Sequence, residues 1–121
     1  LRLAGHDVFD WRAQGPEGKG FHWSEIDENW RKWSPETYRR MVTSSPIAAR
    51  GFMADFRGMQ WADTCVLLLP CGRSAHSEFG WFCGAGKRTN ILLENQQEPE
   101  LMYLMANSIC LSTDEMLWAI S

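Results

Sequence analysis

Glu78 is the side chain from which covalent chemistry could most readily start. It falls in a segment where Ala75, Phe79, Phe82 and Gly86 recur at helical spacing and mark the face turned to the core. At roughly 100° per residue, Glu78 lies about 60° from the centre of that stripe, at the edge of the buried face. In the first turn of a helix capped by Ser74 it would stand near the positive end of the helix dipole, which keeps a carboxylate ionised. An ionised, partly desolvated carboxylate can be a nucleophile or can stabilise a developing cation. The plainer alternative is a side chain that only complements the helix terminus.

Around it, Gly72-Arg73-Ser74-Ala75-His76 offers backbone amides, a guanidinium and a hydroxyl at a helix N-terminus, a donor set suited to an anion such as a phosphate. The alternative for Arg73 is a solvated surface charge. His76 lies roughly 160° from Glu78 on the helical wheel and reads as a surface or supporting group. Asp55 could cap a helical segment starting at Phe56, or serve as a second acid. Two carboxylates in different environments can divide the roles of nucleophile and acid between them. In the front half, Asp10-Trp11-Arg12 and Phe21-His22-Trp23 could wall a flat apolar ligand, with Trp11 foremost, or serve an interface. Trp23, Trp30 and Trp33 read as packing between helices.

The elements that must position these groups follow from punctuation and periodicity. Leu1 to Leu3 with Gly5 has the outline of a helix end, and His6 to Trp11 alternates as a short strand does. Ala13 to Gly20 is a loop, and a capping-box pattern starts a helix at Ser24. Ser34-Pro35 and Ser45-Pro46 start two more, the second with possible breaks at Gly51 and Gly58 on its way to Ala62. Thr64 to Leu69 is a continuous apolar run, the mark of a strand covered on both faces. After the loop at Pro70 come a helix from Ser74, a strand Thr89 to Leu93, a helix from Pro99 through Met105, a strand Ser108 to Leu111 and a helix Thr113 to Ile120. Strands alternating with helices predict an α/β domain of three layers around a mostly parallel sheet, with ligands bound beyond the carboxyl ends of the strands.

The chain has 121 residues, a common size for one domain, with 45% apolar and 22% charged side chains, which excludes disorder. Twelve basic against fifteen acidic residues leave a charge of −3, so no nucleic-acid polymer is expected as a partner. No apolar run is long enough to span a bilayer, and no membrane association is expected. Cys65, Cys71, Cys83 and Cys110 form no Cys-x-x-Cys pair and have no histidine at zinc spacing, so no metal is expected, and free thiols in a reducing cytoplasm are. The chain opens at Leu1 without an initiator Met, and upstream residues are expected.

Asp55, Ala62-Asp63, the buried strand, Glu78-Phe79-Gly80 and Gly84-Ala85-Gly86-Lys87 together resemble the nucleoside 2-deoxyribosyltransferase superfamily, which includes nucleotide N-glycosidases. The resemblance covers roughly Ala54 to Met105. It implies a flavodoxin-like, Rossmann-like fold over residues 1–121 and cleavage of an N-glycosidic bond without metal or organic cofactor. It implies that Glu78 attacks the anomeric carbon and that Asp55 contacts the base and assists its departure. Asp10, Trp11, Gly72, Arg73 and Ser74 would line the substrate, and Glu100 takes the place where relatives contact the sugar 5′ end. Gly72 stands where some members carry an acid, and relatives begin with a strand that this chain lacks. Sites shared between subunits are common in the family, so a dimer or higher oligomer is expected, with Met102, Tyr103 and Met105 as contact residues. The alternative is an inactive nucleotide-binding or assembly module of the same fold.

Overall fold

The structure, a computed structural model, describes all residues from Leu1 to Ser121. They form two compact units, one of Phe9–Trp61 and the other of Leu1–Val8 with Ala62–Ser121.

The unit Phe9–Trp61 is helical. Helix α1, Pro35–Ser44, starts where the Ser-Pro signal predicts, and Ser34 Oγ accepts the Thr37 N–H at 3.1 Å. Helix α2, Pro46–Trp61, follows at once and runs through both glycines without a break. The reason is packing. A Cβ on Gly58 would lie 2.6 Å from the Phe9 ring, and one on Gly51 would lie 2.9 Å from the ring of Phe21. The missing side chains admit two aromatic rings onto the helix surface. Ahead of α1 the chain makes three short 3-10 turns, Trp11–Ala13, Trp23–Glu25 and Trp30–Lys32. The strand expected from His6 to Trp11 does not form. No ladder partner meets it, and the Asp10 carboxylate accepts the Arg12 N–H at 3.1 Å and turns the chain. The helix expected from Ser24 is a single turn capped two residues earlier, at His22. His22 Nδ1 accepts the Ser24 N–H while Glu25 accepts the His22 N–H, closing the box. Trp23 meets Phe21, Trp33 and Tyr38 edge-on, which gives Trp23 and Trp33 the packing role expected of them.

The other unit is α/β. Strands β1 (Thr64–Leu68), β2 (Arg88–Leu92) and β3 (Ser108–Cys110) form a three-stranded sheet in the order β1-β2-β3, parallel throughout. Val66 stands opposite Asn90, and Asn90 opposite Ser108. Helix α3 (Arg73–Gly84) links the first pair. A 3-10 segment, Leu101–Met105, replaces the α-helix expected between the second pair. Helix α4 (Thr113–Ile120) closes the chain, and Ser112 Oγ accepts the Glu115 N–H at 3.2 Å.

Side chains alternate across a strand, so the two core clusters mark the two faces of the sheet. Leu67, Ile91 and Phe79 of α3 form one, with Cys65 and Ala75 against them. Cys110 with Met116 and Ile120 of α4 form the other, flanked by Val66 and Leu92. The central strand β2 is the one buried on both faces. Ile91 is 0% exposed, whereas Leu68 of β1 is 59% exposed, so β1 is not covered on both faces as its apolar run predicts. It is an edge strand, with β2 on one side and no strand on the other. No helix is long and apolar enough to cross a membrane.

Candidate functional site

Gly72, Arg73, Ser74, Glu78 and Glu100 lie in the α/β unit, whereas Asp10, Trp11 and Asp55 lie in the helical one. In the α/β unit the loop after β1 enters α3 two residues earlier than a Ser74 cap predicts. Gly72 is the N-cap in an extended conformation, and no side chain caps the helix. Ser74 is inside the helix and exposed, as is Arg73. Glu78 therefore falls in the second turn, with no acidic residue in the first, and the helix dipole fades before reaching it. The carboxylate is half-buried, and its charge acts on Cys65. Burial foremost, and then Glu78, push the Cys65 thiol up to about 12.

The strand-end loop also holds a cluster that the sequence did not disclose. His76 stacks on Tyr103, with ring centroids 5.9 Å apart and planes 15° from parallel. His76 Nδ1 lies 2.8 Å from the Gly72 carbonyl oxygen, which can only accept, so that nitrogen carries the proton. Nε2 is then the acceptor for the Tyr103 hydroxyl at 2.8 Å. Cys71 Sγ lies 3.5 Å from the same protonated Nδ1. In this tautomer the imidazole cannot take the thiol proton, and burial pushes the Cys71 thiol up as well. Burial foremost, then the charges of Cys71 and Glu100, also raise the Tyr103 phenol. Cys71 and Tyr103 therefore hold their protons more firmly, and the cluster fastens the loop to the Leu101–Met105 segment. Glu100 has a local task of its own, because Oε1 accepts the Met102 N–H at 2.9 Å and caps that segment. Nothing in the spacing of His76 and Tyr103 betrays their contact, since 27 residues separate them.

In the helical unit Asp55 is not a cap. Because α2 is continuous, Asp55 sits in its interior, half-buried, and burial raises its carboxyl above the ordinary value. It lines a cleft of about 190 Å³ whose walls include Trp11, Phe21, Ile47 and Arg50. The structure thus joins two expected site residues, Trp11 and Asp55. Asp10 does not line the cleft. It braces the turn instead, with its carboxylate on the Arg12 N–H and Nε–H at 3.1 Å and its carbonyl accepting from Gln14 Nε2 at 3.0 Å. The loop folds back through Gly20, whose φ of 76° and close approach to the Trp11 carbonyl suit no side chain.

No family model matches this chain, and neither a curated protein nor a solved structure does. No group of three or more His, Cys, Asp or Glu side chains is placed to hold a metal ion.

Proposed function

We propose that the protein cleaves, or transfers a sugar at, the N-glycosidic bond of a nucleoside or nucleotide, with Glu78 as nucleophile. One observation carries the reading. Glu78 is a half-buried carboxylate on the helix that follows the first strand of a parallel sheet, and its charge is felt by the neighbouring Cys65 thiol. A carboxylate in such a place attacks C1′ and forms a glycosyl ester, while the base leaves with the C–N bonding pair and takes up a proton. Water or a second base then attacks C1′ and frees the carboxylate. Arg73 and the Gly72 end of α3 suit a 5′ substituent that carries negative charge.

The expected three-layer, flavodoxin-like arrangement is supported by α3 and α4 packing against opposite faces of the sheet. A homo-oligomer is supported by Leu101, Met102, Leu104 and Met105, all exposed along the Leu101–Met105 segment. Four free thiols suit a cytoplasmic setting.

The test is incubation with a panel of deoxynucleosides and their monophosphates, with chromatography for free base. Glu78→Ala should abolish base release with the circular dichroism spectrum unchanged. A 2-fluoro sugar analogue should label the peptide that contains Glu78. Base release by Glu78→Ala at a near wild-type rate refutes the nucleophile. Wild-type binding of nucleotides without turnover would make the chain a nucleotide-binding module instead.

A further inference from the structure

We infer that the cleft of the helical unit is a binding site for a small zwitterion, an α-amino acid, held between Asp55 and Arg50 against the indole of Trp11. The cleft contains five charged side chains, three of which are already engaged. Glu17 and Lys19 pair with each other at 3.4 Å, and Glu25 accepts the His22 N–H at 3.0 Å. Asp55 and Arg50 make no hydrogen bond or ion pair. They are five residues apart on α2, so they are neither i,i+3 nor i,i+4 neighbours and do not face each other along the helix. Five residues separate them by about 7.5 Å along the axis and about 140° around it, so they border the cleft from different sides. Both line the same cleft, so a small ligand lying in it can present an ammonium to Asp55 and a carboxylate to Arg50, each through a hydrogen bond.

Charge and size both select this class of ligand. An uncharged base would cover a half-buried carboxylate without offering it a cation, which costs free energy. A zwitterion neutralises both ends at once. The cavity, about 190 Å³, is smaller than the roughly 300 Å³ at which pockets for drug-sized ligands begin, so it fits a molecule smaller than a nucleoside. Trp11, 59% exposed, with Phe21 and Ile47, supplies an apolar wall for the side chain of the ligand. The site is preformed, because the loop that carries Trp11 is closed by hydrogen bonds from Gly20 to the Gln14 carbonyl and from Gln14 Nε2 to the Asp10 carbonyl.

The experiment is calorimetric titration of the full chain with L-leucine and L-phenylalanine, each compared with its N-acetyl derivative, which lacks the ammonium, and its primary amide, which lacks the carboxylate. At least one free amino acid should bind with a Kd below about 1 mM. Both derivatives should bind at least about tenfold more weakly. Asp55→Asn should lose the discrimination against the N-acetyl compound only, and Arg50→Gln that against the amide only. This crossed pattern is a readout that mere misfolding cannot give. The inference is overturned if neither amino acid binds, if the derivatives bind as well as the parents, or if adenine or uracil binds where the amino acids do not.

Discussion

Replacing Gly58 and Gly80 separately by alanine should shift stability in opposite directions, although both glycines lie inside α-helices. Alanine in a helix interior is worth about 1 kcal/mol over glycine, and this gain is common to both sites. At Gly80 nothing lies within 4 Å of the new Cβ, so the gain is kept. At Gly58 the methyl group would enter at 2.6 Å from the Phe9 ring, against an ordinary carbon contact of about 3.5–4.0 Å. The ring must retreat by about 1 Å within a packed unit, and overpacking of this kind costs about 1–3 kcal/mol. The helix gain cancels in the comparison, so Gly80→Ala should exceed Gly58→Ala in stability by about 1–3 kcal/mol. For a chain of this length that corresponds to a gap in Tm of roughly 3–5 °C per kcal/mol. Urea titration with an unchanged slope is the assay. Phe9→Leu should restore part of the loss in the Gly58→Ala background. Equal stabilisation by both substitutions would refute the packing of Phe9 on α2.

Three further outcomes concern ionisation. Cys65, raised from 9.0 to about 12, should resist alkylation in the native state at pH 8, and its burial should cost stability as pH rises from 9 towards 12. Cys65→Ala should flatten that part of the stability profile. Asp55 is raised from 3.8, so the folded state disfavours its charge at neutral pH. Asp55→Asn should therefore be slightly more stable than wild type at pH 7, with the advantage gone well below pH 3.8. Asp27 is lowered from 3.8, first by the Trp33 indole N–H and then by the Asn29 N–H, so its contribution is present above that value and lost as pH falls through the native one. The Trp33 indole proton should report this in NMR with a midpoint below 3.8, and a midpoint above it would contradict the hydrogen bond.

Where chemistry acts within a few residues, the sequence was a good guide. Ser34-Pro35 and Ser45-Pro46 start helices close to where their side chains demand, the last helix spans Thr113 to Ile120 as expected, and the apolar runs at 64–69 and 89–93 are strands to within a residue. Legibility failed where a distant partner decides. His6 to Trp11 alternates correctly yet finds no neighbouring strand, and Gly51 and Gly58 read as breaks because the rings of Phe21 and Phe9 are remote in sequence. The burial of β1 is not legible because a continuous apolar run does not say whether its strand is central or at an edge. In the site, Trp11 and Asp55 were legible as residue types, and their shared cleft was not. The bond between His76 and Tyr103 left no trace in either segment, since each is an ordinary partner of a helical turn.

The outer edge of β1 bears on how the chain behaves when it is not fully folded. Thr64-Cys65-Val66-Leu67-Leu68-Leu69 is an uncharged, proline-free hexapeptide rich in β-forming side chains, the type of segment that templates strand addition between molecules. In the native state one side of its backbone is occupied by β2, and the other has no strand to pair with. What limits its stickiness is its borders. Asp63 places a charge at one end, and Pro70 removes a backbone donor at the other, so the unpaired edge is short and is interrupted in both directions. These two residues act as gatekeepers for solubility. A chain that lost both would keep its sheet and gain a longer edge by which copies could associate during synthesis or refolding.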